Sequence, residues 1–155
     1  MRGSPAERFW DKVDKSGACW LWTGAKSKGY GLFTFEGRMT GAHRFAYQIT
    51  HGNIPDGHVI DHLCHVAACV NPAHLEAVTQ KQNMENRRGA QPRNRSGIRG
   101  VYWNKAESKW QAQVTHNYKT HYAGKFDDLD EAAEVVEALR LSLYTHSDMA
   151  KRRAA

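Results

Sequence analysis

The sequence of 155 residues predicts an α+β protein built from two small domains. In the first, at residues 60–88, a hairpin is followed by a knot of cysteine and histidine residues and then by a short helix. In the second, three alternating segments precede an amphipathic helix, which is typical of a three-stranded antiparallel sheet packed on one helix. Residues 89–97 form a polar break with no periodicity. We therefore assign residues 1–89 to the first domain, 90–97 to a basic linker and 98–155 to the second domain.

The chain before the knot carries local signals for helices and a hairpin. Residues 4–7 indicate a helix start, since they combine a capping box with proline at the first helical position. Trp20 and Trp22 are two residues apart, so on a strand they share one face, which we interpret as core. Residues 29–40 alternate around a turn and predict a β-hairpin, and the helix after it is expected to stop at Gly52.

Three cysteines and one histidine are spaced as ligands of a metal ion. Four residues separate Cys64 from Cys69 and four more separate Cys69 from His74, and Cys19 is the one other cysteine. Three thiolates and one imidazole make a complete tetrahedral set for zinc. The alternative for Cys19 is a buried free thiol, because cysteine often behaves as a small apolar residue. We favour the zinc interpretation because the other three ligands need a fourth.

A pair of polar residues beside the knot could act on a phosphodiester. The helix predicted after the knot begins with a capping box at residues 79–82 and stops at Gly89, which places His62 on the hairpin and Asn83 on the helix. A neutral imidazole takes a proton from water near pH 7, and if Nδ1 of His62 donates to a backbone carbonyl, Nε2 is free to act as the base. Amide and carboxylate oxygens, here from Asn83 and Asp61, suit a hard divalent cation such as magnesium.

This stretch resembles the HNH, or His-Me finger, nucleases, and among them the His-Cys box homing endonucleases. The matched positions are His62, Leu63, Cys64, Cys69, Asn71, Pro72, His74, Leu75 and Asn83. The resemblance spans roughly residues 5–90 and implies a zinc-stabilised ββα-metal domain. It implies that His62 is the general base, that Asn83 binds the catalytic magnesium and that Asn71 braces the hairpin. The implied reaction hydrolyses double-stranded DNA, leaving a 5′ phosphate and a 3′ hydroxyl, and the zinc is structural.

Two features depart from the His-Cys box pattern. Those enzymes carry a second zinc cluster and a dimerising tail, and the chain has no cysteine left for either. In addition, Asp61 precedes the histidine, as in phage HNH nickases, where that aspartate is a second metal ligand. Residues 43–47, HRFAY, are similar to a segment found before the hairpin in phage enzymes. That similarity makes Arg44 a candidate for holding the scissile phosphate, while His43 is interpreted as structural.

The charge balance favours an anionic partner, and nucleic acid before a membrane. The chain has 22 lysines and arginines against 16 acidic residues, a net charge of +6. No apolar run approaches the roughly 20 residues of a membrane-spanning helix. Arginines, Arg88 among them, crowd the linker region, and a further basic stretch lies at residues 151–153. We expect the linker arginines to track phosphates, the alternative being a solvated basic linker. The basic residues predicted to contact DNA are Lys28, Arg38, Arg87, Arg93, Arg95 and Arg99.

The second domain predicts a sheet with one covered face and one free face. Residues 109–116 alternate strictly, with apolar side chains on one face and glutamine and threonine on the other. In the helix that follows, Ala132, Val136, Leu139 and Leu143 form one apolar stripe, which predicts that the helix covers the apolar face of the sheet.

Four short segments of this domain, 99–101, 109–112, 123–126 and 131–133, resemble the APETALA2-type DNA-binding domain. The resemblance covers about residues 96–145 and implies that the free sheet face enters the major groove. The implied base readers are Arg99, Tyr102, Asn104, Gln113, Thr115, Thr120 and Tyr122. The plant family's arginine-rich reading face is here largely replaced by neutral polar side chains, and a face that solvent simply wets is the alternative.

Two other functions are compatible with the sequence. One is a non-catalytic, sequence-specific DNA-binding regulator with a structural zinc knot, and the other is a structural zinc module for a protein partner. His62 and Asn83 beside the knot favour a nuclease, since a pure binder needs neither. We expect a monomer or homodimer in the cytoplasm of a bacterial host, encoded by a phage or by the bacterium. No signal peptide is visible, and the odd number of cysteines argues against a disulfide scaffold.

Overall fold

The chain is described by a computed structural model. The described residues are 3–87, 89–90 and 92–144. By its internal contacts the chain divides into two compact units, Met1–Lys81 and Gln82–Ala155. Arg88 and the basic stretch at residues 151–153 lie outside the described residues. Among the helices that are described, none has the length and apolar content that crossing a membrane requires.

Short helices and strands make up the first unit, in small antiparallel sheets of two or three strands. The helices are α1 (Pro5–Trp10), α2 (Ala42–His51) and α3 (Gln80–Glu85), the last of which crosses the division between the units. The strands are β1 (Val13–Asp14), β2 (Leu21–Trp22), β3 (Lys26–Ser27), β4 (Tyr30–Phe35), β5 (Arg38–Gly41), β6 (His58–His62) and β7 (Leu75–Thr79). They pair as β1-β2, β3-β4-β5 and β6-β7, and a 3-10 turn at Pro72–His74 leads into β7.

Local sequence accounts for the ends of several elements. The Ser4 hydroxyl accepts a hydrogen bond from the Glu7 amide at 3.3 Å, while the Glu7 carboxylate accepts one from the Ser4 amide at 2.6 Å. The predicted capping box is therefore confirmed. Helix α2 ends at Gly52, as predicted, where φ is +89°. The hairpin predicted at residues 29–40 is also confirmed, as β4 and β5, with Gly37 at φ +74° in its turn.

An aromatic cluster around Phe9 forms the core of the first unit. The centroid of this ring lies 4.9 Å from that of Trp22, 5.1 Å from that of Phe33 and 5.0 Å from that of Phe45. Phe9 and Trp22 are both fully buried, and rings of this size dominate the energetics of a small core. Gly31 lets the chain pass over the Trp22 indole, because a Cβ there would lie 2.6 Å from the ring.

The same core anchors the elements that carry the candidate site. Ile60 of β6, Leu75 of β7 and Val70 in the loop between them are all buried in the cluster. Trp20, the other tryptophan predicted to be core, is partly buried and packs against it. Both strands of the β6-β7 hairpin and the loop that joins them are therefore fixed to the core.

The second unit is a three-stranded antiparallel sheet packed on one helix. The strands are β8 (Val101–Asn104), β9 (Lys109–His116) and β10 (Lys119–Phe126), and the helix is α4 (Leu129–Leu143). β9 lies between β10 and β8. Asp128 caps α4, since its carboxylate accepts hydrogen bonds from the amides of Asp130 and Glu131 at 2.8 and 2.9 Å.

One face of this sheet packs on α4. The buried or packed residues of this contact include Val101, Ala112, Val114, Ala132, Val136, Leu139 and Leu143. β8 begins at Val101, directly after Gly100, which turns the chain with φ +89° and whose carbonyl accepts from the amide of Gln113 at 2.8 Å. A Cβ at Gly100 would lie 2.6 Å from the carbonyl oxygen of Gln113, so this position requires glycine.

The division between the units lies earlier in the chain than the predicted boundary at Gly89. Helix α3 ends at Glu85, and within the second unit Arg99 donates hydrogen bonds to the backbone carbonyls of Met84, Glu85 and Arg87. The predicted boundary followed a change in composition. The hydrogen bonds that tie the end of α3 to the second unit leave no trace in composition.

Candidate active site and metal centre

A short backbone ladder brings the segment around Cys19 to the loop that carries the other cysteines. The amide of Val70 donates to the carbonyl of Trp20 at 2.8 Å, and the amide of Trp22 donates to the carbonyl of Ala68 at 2.9 Å. These bonds align the two segments as neighbouring strands would be aligned. Cysteines that are distant in sequence therefore lie side by side.

The four predicted zinc ligands converge. The ligand atoms of Cys19, Cys64, Cys69 and His74 all lie within 4.8 Å of one another. Nδ1 of His74 is 3.7 Å from Sγ of Cys19 and 3.5 Å from Sγ of Cys69. A tetrahedral zinc ion with ordinary Zn–S and Zn–N bond lengths holds sulfur and nitrogen about 3.6 Å apart. The group therefore has the chemistry and the spacing to hold zinc, with the imidazole presenting Nδ1.

The surroundings make these thiols poor acids in the absence of a cation. Burial raises the pKa of Cys69 to about 12 and also raises the pKa of Cys19, and the nearby Cys64 acts in the same direction on both. Clustered thiolates that are withdrawn from water repel one another and are stable only beside a positive charge. The donor set thus fits a closed zinc site, in which four protein ligands leave no position for substrate.

His62 ends β6 and is held by the loop of the knot. Its side chain is 6% exposed, and its Nε2 lies 3.0 Å from the carbonyl oxygen of Cys69. A carbonyl can only accept, so Nε2 carries the ring proton and Nδ1 is the basic nitrogen. This is the reverse of the arrangement in which Nδ1 donates and Nε2 is the base, because the loop carbonyl reaches the ring from the Nε2 side.

The environment of His62 keeps its imidazole neutral near pH 7. Burial lowers the pKa of His62, and the Cys69 carbonyl and the Asp61 carboxylate oppose that shift. Oδ1 of Asp61, which is buried, accepts a hydrogen bond from the His62 amide at 2.8 Å. A neutral ring with one nitrogen fixed as donor is the state that a general base requires.

Two further rings pack against His62 that sequence reasoning did not assign to a site. The centroid of His43 lies 5.0 Å from that of His62, and Tyr30 lies 5.5 Å from His43 and 5.8 Å from His62. Nδ1 of His43 is buried and has no hydrogen-bond partner among the described residues. Burial, and then the nearby His62, lower the pKa of His43 to about 4. The contact joins β4, α2 and β6, and no local pattern in the sequence signals it.

Asn71 caps the 3-10 turn, and Arg44 belongs to α2. Nδ2 of Asn71 donates to the carbonyl of Ala18 at 2.8 Å, and its Oδ1 accepts from the amide of Ala73 at 3.1 Å. Asn71 therefore ties the 3-10 turn to the segment that carries the first cysteine, so the element it braces is the loop of the hairpin. Arg44 lies half-buried in the first turn of α2, directly after His43.

Asn83 lies on α3, the helix that begins directly after β7, and its side chain is half-buried. The amide oxygen of Asn83 and the carboxylate of Asp61 are hard donors, and hard donors are the ligands that magnesium prefers. The chemistry of this predicted pair of ligands therefore fits a divalent cation of that type.

The residues predicted to contact DNA are mostly exposed. The exposed basic side chains are Lys28, Arg38, Arg87, Arg93 and Arg95. On the sheet face that points away from α4, Tyr102 and Tyr122 are 47% and 70% exposed. Oε1 of Gln113 accepts a hydrogen bond from Nε2 of Gln111, two residues earlier on the same strand. Oγ1 of Thr115 lies 3.4 Å from Oγ1 of Thr120.

Two of the predicted base readers have other partners in the structure. Oδ1 of Asn104 accepts hydrogen bonds from the amides of Ala106 and Glu107, so Asn104 caps the turn between β8 and β9. The guanidinium of Arg99 donates to backbone carbonyls at the end of α3. The expectation that Arg99 reads a base is therefore corrected, because its terminal nitrogens are already used as donors within the second unit.

Comparison with known proteins bears on the segment that contains the hairpin. Residues 40–85 match the family model described as HNH endonuclease. Protein 7.7 of Escherichia phage T7 is 41% identical over 69 residues, which make up 44% of this chain and 53% of that protein. The chain thus spans about half the length of the curated relative it matches. No solved structure matches significantly. The similarity supports an HNH nuclease domain at residues 40–85, the segment that contains both His62 and Asn83.

Proposed function

We propose that the protein is a DNA endonuclease that hydrolyses phosphodiester bonds of double-stranded DNA with one magnesium ion. The observation that carries the proposal is the state of His62, which is buried, neutral and bound through Nε2 to the Cys69 carbonyl. Nδ1 is then the nitrogen that can accept a proton from water. His62 also lies in the segment that is similar to HNH endonucleases. The expected products carry a 5′ phosphate and a 3′ hydroxyl.

Each residue of the proposed site has one task. His62 takes the proton of the attacking water at Nδ1, while the Cys69 carbonyl keeps the ring in one orientation. Asp61 and Asn83 would hold the magnesium ion through oxygen atoms. When bound, that ion supplies charge neutralisation at the phosphate and at the leaving 3′ oxygen. Arg44 would bind a phosphate oxygen with its guanidinium.

The zinc knot orients the base and takes no part in the chemistry. Cys69 supplies both a zinc ligand, through Sγ, and the carbonyl that fixes His62. Immobilising Cys69 with zinc therefore also immobilises the acceptor of the His62 ring proton. Asn71 strengthens the same loop by its bonds to Ala18 and Ala73.

We infer that the second unit contributes DNA contacts of the APETALA2 type. Among the described elements, α4 packs on one face of the sheet, and the other face presents amide, hydroxyl and tyrosine groups. Glutamine pairs its amide with adenine in the major groove, whereas arginine pairs with guanine. Since Arg99 is engaged elsewhere, Gln111 and Gln113 favour targets rich in A·T pairs. Arg93 and Arg95 would add contacts to phosphates that do not depend on sequence.

Nicking and linearisation of supercoiled plasmid in the presence of magnesium test the proposed activity. Wild-type protein should cut, and His62→Ala should lose about 10²- to 10⁴-fold in rate, since a general base contributes that much. His51→Ala is the matched control, because this histidine ends α2 in an exposed position. Plasmid that stays supercoiled with wild-type protein and magnesium would show that the protein is not this enzyme.

The second function that the molecule supports is a DNA-binding regulator without activity. The net charge of +6 and the exposed arginines before β8 favour it. A regulator would bind DNA equally well with and without His62, and no magnesium concentration would yield cleavage. A structural module for a protein partner is distinguished from both by showing no salt-dependent DNA binding.

A further inference from the structure

The guanidinium of Arg99 acts as a clamp on the end of α3. Nη1 donates to the carbonyl of Glu85 at 3.1 Å and to that of Arg87 at 2.6 Å. Nη2 donates to the carbonyl of Met84 at 3.0 Å and to the hydroxyl of Tyr144 at 3.3 Å. The four N–H groups of the two terminal nitrogens therefore each have an acceptor. Two of those acceptors, the carbonyls of Met84 and Glu85, belong to the last two residues of α3, and the carbonyl of Arg87 lies two residues beyond the helix.

Packing around Arg99 holds this clamp in place. The guanidinium carbon lies 5.5 Å from the centroid of the Tyr144 ring, a distance at which a cation is attracted to the ring face. Arg140 donates a hydrogen bond to the carbonyl of Arg99. Glu85 and Asn86, at the clamped end of α3, are buried, and the Glu85 carboxylate lies 3.5 Å from Nε2 of His116. The end of α3 is thus built into the second unit by several contacts.

Helix α3 needs such support because it is very short. It has six residues, and an isolated helix of that length does not form in water. An α-helix supplies no amide donors of its own to its last four carbonyls, and these carbonyls form the negative end of the helix dipole. The positive, planar fork of Arg99 satisfies several of these carbonyls at once. Asn83 lies one position before Met84, whose carbonyl Arg99 binds.

We propose that Arg99 is a positioning residue for Asn83, and that it acts through the C-terminal carbonyls of α3. The inference rests on the proposed function in one respect, namely that Asn83 is a ligand of the catalytic cation. Arg99 itself touches neither the substrate nor the cation. Arg99 lies outside residues 40–85, the segment similar to HNH endonucleases. The position of Asn83 within that segment therefore depends on a residue that follows the segment in the second unit. A chain cut at the predicted boundary, Gly89, would lose the clamp.

Exchange of Arg99 for lysine separates the clamp from an ordinary phosphate contact. Lysine keeps the charge but offers one compact ammonium group in place of a planar fork. If Arg99 served only to attract DNA, Arg99→Lys would behave as wild type and Arg99→Ala would lower the salt slope of binding by about 1. If Arg99 is a clamp, both variants lose cleavage, and the salt slope of binding stays as it is.

The experiment measures three quantities for wild type, Arg99→Ala and Arg99→Lys, with Lys105→Ala as the control. Lys105 is an exposed lysine of the same unit, in the turn after β8, so its removal changes the charge equally. The quantities are the magnesium concentration for half-maximal cleavage, the salt slope of binding without magnesium, and hydrogen exchange of the Asn86 and Arg87 amides. In the structure these amides donate to the carbonyls of Gln82 and Met84, so they report on the last turn of α3.

We expect Arg99→Ala to need roughly 10- to 100-fold more magnesium, as is usual when a group that orients a metal ligand is lost. Hydrogen exchange of the two amides should be faster in Arg99→Ala than in wild type. Arg99→Lys should show an intermediate rate, and Lys105→Ala should exchange as fast as wild type. The proposal would be overturned if amide exchange in Arg99→Ala were unchanged. It would also be overturned if Arg99→Lys kept full activity while Arg99→Ala had a lowered salt slope of DNA binding. If wild type does not cut DNA at all, the proposed function fails while the exchange measurement still decides whether Arg99 clamps α3. Should Arg99→Ala fail to fold, the magnesium requirement and amide exchange of Arg99→Lys decide the question.

Discussion

Acidification should destabilise the first unit through His43, a residue that takes no part in the proposed reaction. Its ring packs against His62 and Tyr30, and its Nδ1 is buried without a hydrogen-bond partner among the described residues. Burial lowers the pKa of His43 from 6.5 to about 4, and the nearby His62 and Arg44 act in the same direction. The folded state therefore resists protonation of this ring, whereas the unfolded chain does not.

The sign and size of the effect follow from this difference in pKa. Above pH 6.5 the ring is neutral in both states, and the stability from His43 is fully present. As the pH falls from 6.5 to about 4, only the unfolded state takes up the proton, so the free energy of unfolding decreases. The difference between a pKa of 6.5 in the unfolded chain and one of about 4 in the folded state corresponds to about 3 kcal/mol over that window. This is a large part of the roughly 5–15 kcal/mol that stabilises a typical domain.

Urea denaturation of wild type and His43→Gln between pH 4 and pH 8 measures the effect. Glutamine does not titrate in this range, so the variant should lose stability less steeply below pH 6.5, even if it is less stable at pH 8. His62, whose pKa burial also lowers, is present in both proteins, and so are the zinc ligands. The difference between the two profiles therefore isolates His43. Parallel profiles from pH 8 to pH 4, with zinc content equal in both proteins, would refute the reasoning.

Three substitutions test other parts of the site and the free sheet face. Cys69→Ser should abolish zinc binding and cooperative unfolding of the first unit, because binding of a structural zinc ion contributes roughly 10–16 kcal/mol of folding free energy. Elemental analysis measures the zinc content and calorimetry measures the unfolding. A folded variant without zinc would contradict the prediction. Asp61→Asn keeps an acceptor for the His62 amide but removes the negative charge, so the cleavage rate should fall and should partly recover at a higher magnesium concentration. A magnesium titration that matches that of the wild type would exclude Asp61 as a metal ligand. Gln113→Ala should weaken the preference for an A·T pair at one position of a selected target roughly ten-fold, while the salt slope of DNA binding stays unchanged. An unaltered cleavage-site map would mean that the free face of the sheet does not read bases.

Short-range chemistry made part of the fold predictable from the sequence. Ser4 and Glu7 form a capping box because their side chains and amides are within reach in a single turn. Gly52 stops α2 because the residue that follows the helix takes a positive φ, here +89°, which glycine adopts without strain. The convergence of the four candidate zinc ligands was predictable for a different reason, since residue type alone restricts such ligands, and Cys19 was the one cysteine available to complete the set.

The details that decide chemistry depend on contacts between distant segments, and the sequence does not encode these locally. Which nitrogen of His62 is basic depends on the side from which the Cys69 carbonyl approaches the ring. The position of Tyr30 beside His43 depends on how β4 meets α2. Arg99 looked like a DNA contact because charge is its most visible property, and only the structure shows that its donors point to backbone carbonyls.

Cys69 couples the zinc knot to the proposed catalytic base more closely than a general stabilising role would. Its Sγ belongs to the ligand group, and its carbonyl fixes the ring proton of His62 at Nε2. A shift of the loop that turned this carbonyl away would release the ring, and Nδ1 would carry the proton in a share of the molecules. Those molecules would have the base in the wrong tautomer, although every catalytic side chain was still present. A zinc ion held by Cys69 would therefore favour one tautomer of His62 in addition to stabilising the fold, which gives a physical reason for the proposed metal ligand and the proposed base to lie in one short loop.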